Sequence, residues 1–141
     1  MGLSKLQNLY MAVVTEHSKA PHHYGKVEGE TISLHNPTCG DVIFLSLKYD
    51  EDVISDIAFE GHGCSISVAS SSMMTDLVLH KTKQEALELA HIFSEMVQGQ
   101  QDDRQKALGD AAFLAGVSKF PQRIKCATLS WNALTEVLSE E

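Results

Sequence analysis

The sequence lacks a long hydrophobic segment, since it contains no run of about 18 or more apolar residues, the minimum for a membrane-spanning helix. The N-terminal stretch MGLSKLQNLYMAVVTEH also lacks a signal-peptide core, because polar residues interrupt its apolar ones. The interrupting residues are Lys5, Gln7, Asn8 and Glu16. We therefore expect a cytoplasmic protein with no membrane partner.

Clustered positive charge is also absent. The 11 Lys and Arg residues are scattered and are outnumbered by 19 Asp and Glu residues, which gives a formal net charge of -8. Binding to nucleic acid requires basic residues grouped against the phosphates. We therefore expect no nucleic-acid partner.

Cysteine is scarce, with only Cys39, Cys64 and Cys126. Three thiols cannot all pair within one chain, and a reducing cytoplasm disfavours disulfides. Each thiol could be a small buried hydrophobic group, which is common for free cysteine. Alternatively, the three thiols share one chemical site. Their positions in the predicted fold help to decide between separate buried thiols and a shared site.

What is present is the composition of one ordinary globular domain, 43% hydrophobic and 21% charged, so we expect a single domain over residues 1–141. Apolar residues at helical spacing predict a first helix from Leu3 to about Lys19, ending before Pro21. Three strand-like runs follow, namely TISLH, DVIFLSLKYD and VISDIAFEG. The acidic residues between the last two runs suit a short hairpin loop, which predicts an antiparallel sheet.

Alternation with a period of two predicts which strand residues share a face. These are Ile43, Leu45, Leu47 and Tyr49 in the second run, and Val53, Ile57 and Phe59 in the third.

Helices dominate the second half of the prediction. The segment ISVASSSMMTDLVLH is predicted to form a helix rich in small residues. A second helix is predicted to begin at a capping box formed by Thr82 and Glu85 and to end near Gly99. The last helix is predicted to begin at Pro121. QQDDRQKALGD is predicted to be a polar loop and AAFLAGV a short apolar turn. The predicted buried stripes are Ile66, Ala69, Met73, Leu77 and Val78 in the first of these helices, and Ile124, Ala127, Trp131, Leu134 and Leu138 in the last. The fold class is α+β, a small antiparallel three-stranded sheet with helices packed around it.

The three cysteines fall at the ends of predicted elements. Cys39 precedes the second strand, Cys64 lies where the third strand becomes a helix, and Cys126 lies near the start of the last helix. The ends of elements can converge on one site, and helix N-termini stabilise thiolates. This placement favours a shared site over three separate buried thiols.

The motif CGD adds a carboxylate to the thiols. In an extended segment the side chains of Cys39 and Asp41 point the same way, and Gly40 lets the backbone bend closely around them. Together with the other two cysteines they offer three sulfurs and one oxygen, the four ligands of a tetrahedral Zn²⁺ site. If CGD stood alone, Asp41 would be better explained as a solvated turn residue, because aspartate is common in turns.

Three thiolates and a carboxylate around Zn²⁺ carry a net charge of about -2, which favours a cation or donor nearby. Arg123 lies three residues before Cys126, on the same face of a helix, and is our candidate; an exposed arginine without this role is the alternative. His62, in GHGC, is predicted to be a donor beside the site rather than a ligand. His22 and His23 are predicted to be surface residues.

Three ordered segments, NPTCGD, EGHGCSISVASSSMM and FPQRIKCATLSW, together resemble the SufU type of the IscU/NifU-like iron-sulfur cluster assembly family. The resemblance spans roughly residues 4–138, and the family's three cysteines and aspartate fall on Cys39, Cys64, Cys126 and Asp41. Lys125 stands where the IscU branch has a histidine, and the chain is longer between the last two cysteines; both features are those of SufU. FPQRIK replaces the LPPVK-type chaperone-docking motif, so no dedicated Hsp70-type partner is expected.

The resemblance implies a zinc-dependent sulfurtransferase that takes persulfide sulfur from a SufS-type cysteine desulfurase and works with downstream iron-sulfur assembly proteins. Zn²⁺ would be held by Cys39, Asp41, Cys64 and Cys126, with Cys39 as the catalytic acceptor. A scaffold that assembles a [2Fe–2S] cluster on the same four residues is the alternative. A purely structural zinc module ranks last, because an aspartate is unusual among structural ligands.

Overall fold

A computed structural model of the chain describes residues 12–36, 40–100 and 103–139. The elements in chain order are helix α1, described over 12–19, strands β1 (Glu30–Asn36), β2 (Asp41–Asp50) and β3 (Val53–His62), helices α2 (Ser65–Val78) and α3 (Lys83–Val97), a 3₁₀-helical segment (Asp103–Lys119) and helix α4 (Pro121–Ser139). The α+β class and the three-stranded sheet are confirmed. The predicted start of α1, before residue 12, lies outside the described residues. Within the described ranges, no helix has the length and apolar character needed to cross a membrane.

The sheet is antiparallel throughout, with strand order β1-β2-β3. The register pairs Asn36 with Asp41 and Val42 with His62. The end of β1, the start of β2 and the end of β3 therefore meet at one end of the sheet. Because α2 follows β3 almost at once, its N-terminus is held at the same end.

Of the predicted face of β3, Ile57 and Phe59 are confirmed as buried core residues, and Val53 is wrong. Val53 is only partly buried, whereas its neighbour Ile54 is fully buried in the core. The pairing shifts between Lys48 and Tyr49, which inserts an extra residue into β3. Such a bulge reverses the in-out alternation beyond it. The predicted core positions on β2 are confirmed for the three aliphatic residues, and Tyr49 is partly buried.

Helix α2 packs closely against α4 because its buried face carries small serine side chains. Ser70 Oγ donates a 2.6 Å hydrogen bond to the carbonyl oxygen of Ala127 and accepts one of 3.0 Å from Trp131 Nε1. Of the predicted α2 stripe, Ile66 and Leu77 are only partly buried and the other members are buried. This contact fixes the start of α2 beside the first turns of α4.

The predicted loop and apolar turn before α4 are wrong, since Asp103–Lys119 forms a 3₁₀-helical segment broken at Gly109, which has φ 55 and ψ -130. Its buried residues recur every third position, as the three-residue turn of a 3₁₀ helix requires. They are Leu108, Ala111, Leu114 and Val117.

The remaining helix predictions are confirmed. The capping box of α3 is complete: the Glu85 N–H donates to Thr82 Oγ1 at 3.1 Å, and the Thr82 N–H donates to Glu85 Oε1 at 3.0 Å. α4 starts at Pro121, and its predicted stripe faces the core, where Trp131 stacks on Phe93 with ring centroids 4.3 Å apart.

Candidate metal centre

Asp41 is the first residue of β2, and its carboxylate is completely buried. The Cys64 N–H donates a 2.9 Å hydrogen bond to Asp41 Oδ1. The other oxygen, Oδ2, is buried and has no hydrogen-bond partner among the described residues. A buried carboxylate oxygen without a donor is costly unless a cation satisfies it. The orphaned oxygen therefore marks the place where a metal ion would be stabilising.

The sulfur atoms of Cys64 and Cys126 lie next to this carboxylate. Cys64 is the N-cap residue of α2, and Cys126 is buried in the second turn of α4. The two sulfurs and an oxygen of Asp41 all lie within 4.8 Å of one another. The structure thus brings together three of the four predicted ligands, each contributed by a different element, and we call these three residues the thiol cluster.

Cys39 lies outside the described residues, so its predicted ligand and acceptor roles stay predictions. Its neighbour Gly40 is described and adopts φ 74, a left-handed conformation that glycine tolerates best. The Gly40 N–H donates a 2.7 Å hydrogen bond to the carbonyl oxygen of Asn36. This bond links the end of β1 to the residue immediately before Asp41.

Asn36 is a member of the site that the sequence analysis missed. Its side chain is buried, and Nδ2 donates to Cys126 Sγ at 3.9 Å. An amide donor stabilises negative charge on a sulfur. NPTCGD carried part of the signal, because Asn36 stands three residues before Cys39 and pairs with Asp41 across β1 and β2. Its partner on α4 is visible only in the fold.

Gly63 was also missed, although it stands in the GHGC motif. A Cβ atom at this position would lie 2.1 Å from Asp41 Oδ1 and 2.7 Å from its Cγ. No side chain fits there without displacing the carboxylate. Glycine is therefore required for Asp41 to occupy its present position beside the thiols.

Arg123 and His62 have different relations to the thiol cluster. Arg123 is exposed in the first turn of α4 and lines a surface depression of about 600 Å³ together with Cys64, Phe120 and their neighbours. This position fits the predicted charge-balancing role, which stays a prediction. His62 is exposed at the end of β3, and among the described residues it does not join the group of close donor atoms.

The donor set fits a divalent zinc ion. Two thiols and one carboxylate oxygen are ligands that Zn²⁺ accepts, and one of the carboxylate oxygens has no other described partner. The backbone N–H of Cys64 fixes the orientation of the carboxylate, as partners of metal ligands commonly do. Iron in an iron-sulfur cluster would use the same thiolates.

Comparison with known proteins agrees with this chemistry. The NifU-like N terminal domain family matches residues 9–127. The iron-sulfur cluster assembly scaffold protein IscU of Streptococcus pyogenes is 67% identical over 139 residues, which cover 98% of this chain and 87% of the relative. The zinc-dependent sulfurtransferase SufU of Bacillus subtilis is 48% identical over 139 residues, which cover 98% and 95% of the two chains.

A solved structure shares the fold. The crystal structure of an iron-sulfur cluster assembly scaffold protein for the SUF system, from Fervidobacterium islandicum, is 37% identical and superposes with a TM-score of 0.84, covering 89% of this chain and 93% of that one. The predicted resemblance is therefore confirmed, and this chain belongs to the NifU-like N-terminal domain family of iron-sulfur cluster assembly proteins.

Proposed function

We propose that this chain is a zinc-dependent sulfur acceptor, which takes persulfide sulfur from a SufS-type cysteine desulfurase. The observation that carries the proposal is the buried Asp41 carboxylate beside two thiols, with Oδ2 lacking a hydrogen-bond partner among the described residues. Closed structural zinc sites usually consist of cysteine and histidine alone. A carboxylate among the donors therefore indicates a zinc site whose ligands can exchange. The SufU relative, named a zinc-dependent sulfurtransferase, supports the same choice.

Asp41, Cys64 and Cys126 would hold the ion, with Cys39 as the fourth ligand. Bound zinc keeps its cysteine ligands deprotonated while it shields them from other reactions. The chain's own residues then set the orientation of these groups. The Cys64 N–H fixes the carboxylate, and the Asn36 amide donates to the sulfur of Cys126. Arg123 would balance the excess negative charge or meet the desulfurase.

Cys39 is the proposed acceptor. Cys126 is a poor candidate because it is 1% exposed in the middle of a helical turn, and Cys64 is held at the N-cap of α2 through its contact with Asp41. Cys39 belongs to the short connection between β1 and β2 and precedes Gly40, whose conformation favours a tight turn. Catalytic residues often belong to such connections between regular elements.

The transfer balances as a thiolate exchange. The Cys39 thiolate attacks the terminal sulfur of the desulfurase persulfide, so that a new sulfur–sulfur bond forms on Cys39. The bond between that sulfur and the desulfurase cysteine breaks, and the desulfurase cysteine leaves as a thiolate. No external oxidant or reductant is needed, since one persulfide is exchanged for another.

A scaffold function is the second candidate, because the 67% identical Streptococcus pyogenes relative is named an iron-sulfur cluster assembly scaffold. In that case a [2Fe–2S] cluster would be the cargo, held by the same cysteines and passed to an apo-protein. Lys125 favours sulfur transfer, since the IscU branch has a histidine at this place and this chain therefore has one ligand fewer for a cluster.

Metal analysis followed by sulfur labelling separates the two functions. The anaerobically purified chain is assayed for zinc, iron and acid-labile sulfide, then incubated with a SufS-type desulfurase and cysteine carrying labelled sulfur. The sulfur-acceptor proposal predicts one zinc per chain and label on the peptide containing Cys39. The Cys39→Ser variant should take up no label. Stoichiometric iron and sulfide that pass intact to an apo-ferredoxin, without label on any cysteine, would establish the scaffold instead.

A further inference from the structure

A second group of donor atoms lies where the end of α1 and the following segment pack against α2. His17 is buried at the end of α1. Its Nδ1 lies 2.7 Å from Ser72 Oγ on α2, and its Nε2 lies 3.1 Å from Asp110 Oδ2. The ring of His22 packs against that of His17 with centroids 4.6 Å apart. This group is separate from the thiol cluster.

Asp76, on the exposed side of α2, lies between two histidines. His22 Nδ1 contacts Asp76 Oδ2, and His23 Nε2 lies 3.1 Å from Asp76 Oδ1. Both carboxylate oxygens are therefore in contact with imidazole nitrogens. The prediction that His22 and His23 are surface residues holds for His22, which is exposed, while His23 is partly buried.

Hydrogen-bond contacts with Ser72 and Asp110 hold the imidazole ring of His17 in place. The backbone N–H of His22 donates to Ser72 Oγ at 2.8 Å, which uses the serine oxygen as an acceptor. If His17 directs a hydrogen on Nε2 at Asp110, its Nδ1 keeps a lone pair, which could bind an ion once the Ser72 hydroxyl hydrogen turns away from it. Ser72 thus fixes both the ring of His17 and the backbone of His22 relative to α2.

We propose that His17, His22 and Asp76 form a second divalent-metal site, which we call the histidine cluster. One nitrogen of each histidine and one oxygen of Asp76 lie within 4.8 Å of one another. Two imidazoles and one carboxylate suit a transition-metal ion such as Zn²⁺, Ni²⁺, Co²⁺ or Fe²⁺. Neither Ca²⁺ nor Mg²⁺ fits, because both prefer sites made entirely of oxygen ligands.

The surroundings support a cation at this place. His23 contacts the second oxygen of Asp76 and so holds the carboxylate in position, the usual task of partners around metal ligands. Asp110 adds a second carboxylate next to His17. Asp76 and Asp110 thus place two carboxylates beside the histidines, in a chain whose formal net charge is -8. A divalent ion would compensate the local charge.

The histidine cluster is accessible to an ion from solvent and is well separated from the thiol cluster. The side chains of His22 and Asp76 are 43% and 39% exposed, so an ion can reach them, whereas His17 is 4% exposed and rigidly held. Cys64 and Asp76 are at the two ends of α2. Their separation in sequence corresponds to about 18 Å along the helix axis at about 1.5 Å per residue. One ion could not serve both clusters.

Nickel binding to the zinc-loaded full-length chain tests the proposal. Calorimetric titration at pH 7.5 with Ni²⁺ should show one saturable equivalent while the zinc content, assayed after dialysis, stays unchanged. His22→Gln and Asp76→Asn should each weaken the nickel affinity by more than about tenfold, because each removes a ligand, and His23→Gln by about tenfold, because it removes only a partner of Asp76. Cys64→Ser should keep the nickel equivalent.

His91→Gln is the matched control. His91 is exposed on α3, and its Nε2 lies 3.4 Å from Glu95 Oε1, so this pair offers one histidine and one carboxylate but not a third ligand of the histidine cluster. The variant should bind nickel like the parent chain. Co²⁺ in place of Ni²⁺ should give no thiolate-to-cobalt charge-transfer band, because the proposed donors are nitrogen and oxygen.

Three outcomes would overturn the proposal. They are no saturable nickel equivalent, equal weakening in His91→Gln, or lower melting temperatures of His22→Gln and Asp76→Asn with unchanged nickel affinity. The last would mean that the histidines only attach the segment to α2. His23→Gln keeps all three proposed ligands, so its affinity remains informative if a ligand variant folds poorly.

Discussion

The two donor clusters at opposite ends of α2 differ in burial and in chemistry. The thiol cluster takes donors from β2, α2 and α4 and is largely buried, whereas the histidine cluster takes its donors from α1, the segment after it and α2, and lies partly in solvent. Soft thiolates in a buried site favour tight zinc or iron-sulfur binding; imidazole and carboxylate near solvent favour weaker, exchangeable binding.

The two clusters also differ in how much of the fold must be assembled before their donors meet. The thiol cluster exists only when the sheet, α2 and α4 are assembled, because each contributes one donor. The histidine cluster requires only that the end of α1 and the segment after it pack on α2. Metal binding at the first cluster should therefore be coupled to folding of the whole chain, and binding at the second only to local packing.

The largest expected difference comes from making the same chemical change in both clusters. Asp41→Asn keeps the size of the side chain but removes its charge, and should weaken zinc binding by more than about 100-fold, beyond the loss typical of partners around the ligands. Asp76→Asn should leave zinc binding at the thiol cluster unchanged. Competition with a chromophoric chelator measures both affinities. Similar losses in the two variants would contradict the assignment of zinc to the thiol cluster.

Gly63→Ala tests whether the position of Asp41 is essential. The added methyl group would lie 2.1 Å from Asp41 Oδ1, so the carboxylate must move, and we expect zinc affinity to fall by about 10- to 100-fold. Gly116→Ala is the control, because a Cβ there would meet nothing within 4 Å among the described residues. The same chelator competition applies. Unchanged affinity in Gly63→Ala would show that the carboxylate can bind from another position.

Asn36→Ala should have a smaller effect on the same cluster. It removes the amide that donates to Cys126 Sγ but leaves the close donors in place, so we expect about a tenfold loss of zinc affinity. Asn132→Ala, on the exposed face of α4, is the control. The prediction is wrong if both asparagine variants bind zinc as tightly as the parent chain. Nickel binding at the histidine cluster should not change in either variant.

Regular periodicity made most of the fold predictable. The strands and the α4 stripe follow from apolar residues at periods of two and 3.6, and the capping box follows from Thr82 and Glu85 three residues apart. Val53 was misplaced because a bulge changes the period inside one strand. The 3₁₀-helical segment was missed because its three-residue apolar spacing runs from a polar stretch, predicted to be a loop, into an apolar stretch, predicted to be a short turn.

The two clusters differ in how much of them could be predicted. The cysteines and Asp41 stand in motifs, so the thiol cluster could be assembled from the sequence before its geometry was known. The histidine cluster depends on contacts between residues more than fifty positions apart, such as His22 and Asp76, and no local pattern pairs them. Asn36 belongs to the same class, because Cys126 is distant in sequence.

A change outside both clusters should have the smallest effect and should separate stability from metal binding. Thr82→Ala removes the capping oxygen of α3 and should lower the free energy of unfolding by about 1 kcal/mol, measured by urea denaturation. Zinc and nickel affinities should stay at parental values. If Thr82→Ala weakened either metal site, the losses expected for Asp41→Asn and Asp76→Asn could no longer be assigned to lost ligands.

The pH dependence of this cap has a definite sign. The pKa of Glu85 is lowered because its carboxylate accepts hydrogen bonds from the backbone and side chain of Thr82. A carboxyl group whose pKa is lower in the folded state stabilises the fold above its unfolded-state pKa, and that contribution disappears as the pH falls through the folded-state value. The stability difference between the parent chain and Glu85→Gln should therefore shrink on acidification, whereas a difference independent of pH would mean that the charge of Glu85 contributes nothing to the cap.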